Sequence, residues 1–420
     1  MVLTKARPRM VEGVIFATIL IDFLGFSLLI PVLPLYAEKL GAPPDEIGLI
    51  LSLYAIALVL FLPIWGWISD RIGRRPVILV CLVGTAVSFA LLAFAETIPQ
   101  IYLARVLGGF FGASIGTAQA YIADITDSEE RARGMGLIGA AFGIGFVAGN
   151  AMGGLLYPIH PEAPFWTAAA LTLVAFLFGL FFLPESRSPD APPPGVGSLL
   201  RACVPTPIMA FFGVHSLRKR LFFYLFFHMF ASVSALEAMF PLFAARIGWD
   251  VWQTGLFLAY IGLVVAATQV FLIGPMTDSF GEVPLVKTGL ALTGGGMLLF
   301  AASDATPILM VAATAVAGGV GITFPTFTSL FSKVLGPEEA GEYLGHSQSM
   351  AQTGRALGPY WGGWALLGIG ITAPFWLGGL GLLAALAIFI ACSHYLVPER
   401  GQPGGPALDE RAGSPAAERD

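Results

Sequence analysis

The chain has 420 residues, of which 56% are hydrophobic and only 12% charged, with 51 glycines, 33 phenylalanines and a formal net charge of −5. Soluble domains carry about 25% charged residues, so this composition excludes a soluble enzyme or nucleic-acid binder and indicates a polytopic membrane protein. Three scattered cysteines, Cys81, Cys203 and Cys392, form neither a CxxC pair nor a disulfide set, which removes a thiolate metal site.

Crossing the hydrocarbon takes about 20 helical residues, and the apolar runs predict twelve such helices. They fall at 14–36, 47–67, 77–96, 100–122, 136–158, 165–183, 221–245, 254–275, 285–303, 307–331, 344–368 and 373–396. Lys5, Arg7 and Arg9 precede the first run, as in a signal peptide. The run exceeds the roughly 7–15 residues of a signal core and contains Asp22, Pro31 and Pro34, so it reads as a retained helix. With this layout, eighteen of the 22 Lys and Arg residues fall on one side. Lys39 and Arg246 fall on the other, and Arg105 and Arg355 lie within helices. By the positive-inside rule the populated side is cytosolic and holds both termini. The segment 184–220 is proline-rich, ends in Arg218-Lys219-Arg220 and reads as a cytosolic linker between residues 1–183 and 221–396. Residues 397–420 read as a disordered tail.

An internal repeat supports the two-part division. Gly136…Gly145-x-x-x-Gly149-Asn150-x-x-Gly153-Gly154 recurs 209 residues later as Gly345…Gly354-x-x-x-Gly358-Pro359-x-x-Gly362-Gly363. Pro34-Leu35…Gly41 recurs as Pro241-Leu242…Gly248, and Gly66-x-x-x-Asp70-x-x-Gly73 as Gly274-x-x-x-Asp278-x-x-Gly281.

The loop Gly66-Trp67-Ile68-Ser69-Asp70-Arg71-Ile72-Gly73-Arg74-Arg75 joins the second and third helices. Its glycines permit a tight reversal, and its arginines mark the cytosolic side. The spacing Gly-x-x-x-Asp-Arg-x-Gly-Arg-Arg resembles that loop in major facilitator superfamily transporters. The resemblance implies a gating latch of Asp70, Arg71 and Arg74 on a turn made by Gly66 and Gly73, with Asp124 as the partner of Arg71. Read from residues alone, the loop is equally a basic anchor and Asp124 an ordinary solvated charge. In that family two parallel six-helix repeats enclose a substrate site near mid-membrane.

A charge in hydrocarbon costs at least about 2.5–3.5 kcal/mol and therefore needs a partner, a wet cavity or a task. Four stand out: Asp22, Arg105, Glu237 and Arg355. Asp22 lies roughly 12 Å from the cytosolic boundary at 1.5 Å per residue. The run Asp22-x-x-Gly25…Pro31-Val32-Leu33-Pro34 resembles the first helix of tetracycline-type and multidrug proton antiporters, which implies a proton-coupling acid; a structural ion pair is the alternative. Arg105-x-x-x-Gly109-x-x-Gly112 resembles the family's fourth-helix motif, where an arginine tunes the proton site. By helical rise, however, Arg105 sits roughly 10 Å nearer the outer face than Asp22, and a purely structural arginine is the alternative. Glu237 has no counterpart at Asp22 in the repeat and reads as a second proton site, a cation contact or a pore-mouth acid. Arg355 lies near mid-membrane, where it would bind an anionic substrate group or neutralise Glu237 or Asp22.

On the fifth helix, Gly145, Gly149, Gly153 and Gly154 set small residues at close-packing spacing. The same stretch resembles the antiporter motif whose Gly-Pro pair bends the helix and seals the cavity. Here Asn150 stands in place of that proline, which leaves export specifically open. Gln119, Gln269, Gln348 and Gln352 are candidate cavity polars, and Phe26, Tyr54, Phe142, Phe240, Tyr260 and Trp361 would suit a lipophilic substrate or face lipid. His228 and His346 read as structural hydrogen-bonding residues. No nucleotide-binding loop, metalloprotease motif, nucleophile elbow or Cys/His metal spacing appears, so no enzyme activity or metal is expected.

The expectation is an all-α membrane protein of twelve transmembrane helices in two pseudo-symmetric six-helix bundles. It is a monomer of the plasma or bacterial inner membrane, with a small-molecule substrate and protons as partners and no nucleic acid. It needs no cofactor beyond the proton gradient and exports a lipophilic drug or metabolite by antiport. An importer, or a lipid or organic-anion transporter using Arg355, is the alternative on the same fold. A non-transporting receptor or scaffold is the alternative of another class.

Overall fold

The computed structural model describes residues 8–112, 114–125, 131–186, 217–335 and 337–396. The core of the expected linker (187–216) and the tail (397–420) lie outside them, as do the side chains of His346 and Gln348. Among the described residues the regular structure is wholly helical, in fifteen α-helical stretches and one π turn that are grouped below along the predicted runs. The first half holds α1 (Pro8–Ser27, resuming as Leu33–Lys39), α2 (Pro44–Ile72), α3 (Arg74–Ala93), α4 (Ile98–Phe111 and Ser114–Ile125), α5 (Arg131–Leu156) and α6 (Ala163–Phe182). The second holds α7 (Leu217–Arg246), α8 (Val251–Ala267, resuming as Ile273–Phe280), α9 (Glu282–Ala302), α10 (Thr306–Leu335), α11 (Pro337–Gly368) and α12 (Ala373–Leu396). Among the described residues ten helices are long and apolar enough to cross a membrane; α1 adds the shorter apolar run Gly13–Ser27, and α11 spans 32 residues.

Local chemistry explains the breaks. Pro31 and Pro34 lack amide hydrogens, so the α1 ladder lapses after Ser27 and restarts with Pro34 in the first turn of Leu33–Lys39. The α2–α3 reversal turns on Gly73 at φ +103°, a conformation that a side chain would strain. Just beyond it, the amides of Arg74 and Arg75 donate to the Glu185 carboxylate at 2.8 and 3.2 Å. An acid at the end of α6 thus satisfies two orphan donors at the start of α3. The equivalent reversal in the second half turns on Gly281 at φ +74°. Within α8 the residues Thr268–Leu272 form a π turn, a local widening common where helices carry function.

The second half is packed around phenylalanine: Phe222, Phe240, Phe300, Phe331, Phe375 and Phe389 are all fully buried in one cluster. A second cluster crosses between the halves, joining Leu28, Val32, Ile47 and Ile50 to Ala238, Met239, Leu242 and Leu366. All of these lie towards the end of the molecule that carries Glu38 and the loops preceding α2 and α8. There the halves meet as α2 on α11 and α5 on α8. Tyr360 donates its amide to Ser52 Oγ at 3.1 Å, and Arg246 Nη2 donates to Glu38 Oε1 at 3.1 Å. A Cβ at Gly255 would stand 2.5 Å from the Asn150 carbonyl oxygen and 2.7 Å from Gly154 Cα, so backbone crosses directly on backbone. Towards the opposite, Asp70 end, Leu60, Ile72, Val270, Phe271 and Phe280 are exposed, and Cβ atoms at Gly136, Gly139 and Gly143 would meet nothing within 4 Å. Among the described residues, the close contacts between the halves gather towards the Glu38 end.

Candidate functional site

The charged residues within the segments fall into two groups, one per half. In the first half, Asp22 on α1 lines a narrow cleft of about 10 Å³ with Thr18, Ile78, Leu82, Ala118 and Leu183, among α1, α3, α4 and α6. Arg105 on α4 is 5% exposed, and its Nε donates to the Ile50 carbonyl at 3.3 Å. Its guanidinium carbon lies 4.5 Å from the centre of the Tyr54 ring. Tyr54, one turn beyond Ile50 on α2, is within electrostatic reach of both Asp22 and Arg105. Tyr54 thus links the two charged positions electrostatically. A file of rings leads away from it: Phe26 at 5.0 Å from Tyr54, Phe23 at 5.6 Å from Phe26, and Phe142 on α5 at 4.7 Å from Phe23.

In the second half, Phe230, Ser234 and Glu237 share one face of α7 by their i, i+4, i+7 spacing and meet Arg355 on α11. The Arg355 guanidinium lies 4.8 Å from the Phe230 ring centre, Ser234 Oγ donates to the Arg355 carbonyl at 3.0 Å, and Glu237 and Arg355 interact electrostatically. Cation–π contact is worth about 0.5–2 kcal/mol and holds the side chain without neutralising it. Gly354 and Gly358 make this approach possible: a Cβ on Gly354 would stand 2.5 Å from the Phe227 carbonyl oxygen.

Gln119, Gln269 and Gln352 are exposed on α4, α8 and α11, Gln269 within the π turn. Among the described residues no hydrogen bond gathers them with Arg355. Phe240, a candidate substrate aromatic, is instead core, packed against Phe257 at 4.8 Å and Phe300 at 5.7 Å. His228 stacks on Tyr224 and faces Gly381 of α12, a packing position.

The fifth-helix glycines divide between two faces. A Cβ at Gly145 would meet Leu24 N at 3.2 Å, at Gly149 Leu24 O at 2.6 Å, and at Gly153 Pro31 Cγ at 3.2 Å, all within the first half. Asn150 and Gly154 face α8 across the seam. The Asn150 amide nitrogen donates back to the Phe146 carbonyl at 2.8 Å, the acceptor that a proline at this position would leave without its main-chain donor.

At the Asp70 end the pairing differs from expectation. Arg74, not Arg71, meets Asp124, at 3.0 Å, and it also reaches Asp70 at 2.5 Å and Ser69 Oγ at 2.6 Å. Arg71 lies over the Trp67 ring at 4.3 Å. Helical phase is the reason: Arg71 is four residues from Trp67, whereas Arg74 opens α3, facing the end of α4. A Cβ built on Gly66 meets nothing within 4 Å, so Gly66 is an unconstrained helix position and Gly73 alone makes the turn.

Sequence reasoning placed Tyr54 only among the candidate substrate aromatics, and it missed Glu185, Glu38 and also Glu282, which pairs with Lys333 and accepts from Ser329 at 3.1 Å. The repeat held a signal for this last pair. Arg74 and Glu282 are 208 residues apart and Asp124 and Lys333 are 209 apart, so the two halves carry the same bridge with signs reversed.

A family model described as Major Facilitator Superfamily matches residues 15–273 and 263–418. The chain is 32% identical over 400 residues to the class C tetracycline resistance protein of Escherichia coli, covering 90% of this chain and 94% of that one. It is 28% identical over 388 residues to multidrug resistance protein 1 of Bacillus subtilis, covering 90% and 95%. A solved structure of a mutant of the nucleoside transporter NupG superposes with a TM-score of 0.75 at 17% identity, covering 91% of this chain and 99% of that chain.

Proposed function

The chain belongs to the major facilitator superfamily, and on that premise we propose that it exports a lipophilic small molecule in exchange for protons by alternating access. It is a transporter and not an enzyme, driven by the proton gradient without a cofactor. In this reading the bias of Lys and Arg supports a cytosolic Asp70 end and cytosolic termini, and the tight Glu38 end supports an inward-facing arrangement. The observation that carries the reading is the seam between the halves, backbone-tight at the Glu38 end, with a charged cluster within the membrane segments of each half. Such a seam suits rocking of the halves about a mid-membrane site.

In this reading Asp22, with Arg105, exchanges the proton. Glu237 and Arg355 form the polar wall of the substrate path, together with Gln119, Gln269 and Gln352. Asp70, Arg71, Arg74 and Asp124 shape the cytosolic latch, and Gly145, Gly149, Asn150, Gly153 and Gly154 let α5 roll between α1 and α8. The relatives' names, a tetracycline and a multidrug resistance protein, support drug efflux. A second reading, carriage of an organic anion, is favoured by Arg355, which is exposed and rests against the face of a ring.

The test is proton movement in proteoliposomes challenged with tetracycline, tetraphenylphosphonium or benzoate, wild type against Asp22→Asn. Antiport predicts a proton flux counter to probe movement, evoked by the first two probes and lost in the variant. Equal fluxes in both proteins would end the assignment of Asp22, and a response to benzoate alone would select the anion reading.

A further inference from the structure

We propose that Tyr54 is the positioning residue through which the charge state of Asp22 reaches Arg105; this rests on the proton-coupled reading above. Asp22 and Arg105 belong to different depths of the bundle, separated by roughly 10 Å of helical rise. Tyr54 occupies that interval. Its ring lies against the Arg105 guanidinium at 4.5 Å, and on α1 the neighbour of the same ring is Phe26, one turn beyond Asp22, at 5.0 Å.

The glycines of the fourth-helix motif are what admit it. A Cβ at Gly108 would stand 3.4 Å from Tyr54 Cδ2, and one at Gly112 would stand 2.9 Å from the Tyr54 hydroxyl oxygen. Gly112 is seven residues beyond Arg105, about 10 Å along α4, so the ring and its hydroxyl span the distance that separates the two charges. The main chain of α2 is clamped in the same place: Arg105 Nε bonds the Ile50 carbonyl, and a Cβ at Gly109 would stand 2.7 Å from Ala57 Cβ.

Three helices therefore meet on one phenol. The charged groups facing it are Asp22 from α1 and Arg105 from α4, and Cys81 of α3 lies near Asp22. When Asp22 is ionised, the hydroxyl donates to its carboxylate and the ring is held on Arg105, tying α1, α2 and α4 together. When Asp22 takes a proton that attraction weakens, and α2, the helix that crosses to α11, is released to move. A hydrogen bond to a charged group is worth about 1.5–3 kcal/mol, so losing the hydroxyl corresponds to roughly a tenfold or larger change in the equilibrium it biases.

The experiment needs no known substrate. Full-length protein in nanodiscs, with fluorophores in the α2–α3 and α8–α9 loops, reports the open-to-closed ratio of the Asp70 end at mildly acid and mildly alkaline pH. Wild type shifts with pH and Asp22→Asn does not. Tyr54→Phe, which keeps the ring and removes the hydroxyl, loses the pH response by about tenfold while its melting temperature is kept. Gly112→Ala, which displaces the hydroxyl without removing it, loses it as well. Tyr54→Phe or Gly112→Ala responding like wild type beside a silent Asp22→Asn overturns the role of Tyr54 and leaves the coupling reading standing. An Asp22→Asn protein that still responds overturns the coupling reading itself.

Discussion

Gly255→Val is the substitution that most directly tests how the halves close. The Cβ it introduces would stand 2.5 Å from the Asn150 carbonyl oxygen, 2.7 Å from Gly154 Cα and 2.9 Å from Gly154 N. All three are main-chain atoms of the other half, which cannot turn aside as a side chain would. Ordinary contact needs about 3.5–4.0 Å, so α5 and α8 must part by about 1 Å. Overpacking of this kind costs about 1–3 kcal/mol. The cost falls only on the state in which the Glu38 end is shut, because the crossing does not exist once the halves separate there. The ratio of shut to open at that end should therefore fall by about 5–150-fold. Spin labels on the Glu38-end turns of α5 and α8 would read this as a longer distance population in nanodiscs. Gly143→Ala on the same helix as Asn150, where a Cβ meets nothing within 4 Å, should leave the distances alone. An unchanged distance distribution in Gly255→Val, with or without a lower melting temperature, would refute the seam as the shut gate.

Three further outcomes follow from the same geometry. Gly73→Ala strains a backbone at φ +103° and drives its Cβ into the Glu185 carboxylate, so it should cost about 1–3 kcal/mol in thermal unfolding, and less in a Glu185→Ala background. Glu282→Lys sets like charges between α9 and α10; because Lys333 is 64% exposed the loss should be no more than about 1 kcal/mol, and the double reversal Glu282→Lys with Lys333→Glu should restore the melting temperature. Glu38→Gln breaks the exposed bridge to Arg246 and should shift the shut-to-open ratio at that end by at most about fivefold, an effect that disappears in high salt.

The fold was legible because a bilayer makes length and hydropathy nearly sufficient. Runs of apolar residues, the repeat and the Lys/Arg bias lead to twelve helical segments without any tertiary information. The missed interactions are those that only packing creates. Nothing in the neighbourhood of Tyr54 distinguishes it from the lipid-facing aromatics. It matters because Gly108, Gly109 and Gly112, on a different helix, leave it room beside Arg105. The pairing of Asp124 with Arg74 depended on helical phase at a turn whose geometry, set by Gly73, a linear reading cannot supply. Glu38 and Arg246 are joined across 208 residues by the approach of two halves. The π turn at Thr268–Leu272 likewise leaves no mark in the spacing of its apolar residues. Conversely, the glycines of α5 were legible as packing residues, but their division between α1 and α8 required the helices to be seen.

The crossing of Gly255 on Asn150 and Gly154 has an implication for leakage. A barrier made of peptide atoms has no rotamers to freeze each time it forms, so re-sealing carries little side-chain entropy cost. It also offers passing ions no flexible group to step around. Variation at Gly154 and Gly255 can only add atoms, and every added atom wedges the barrier ajar.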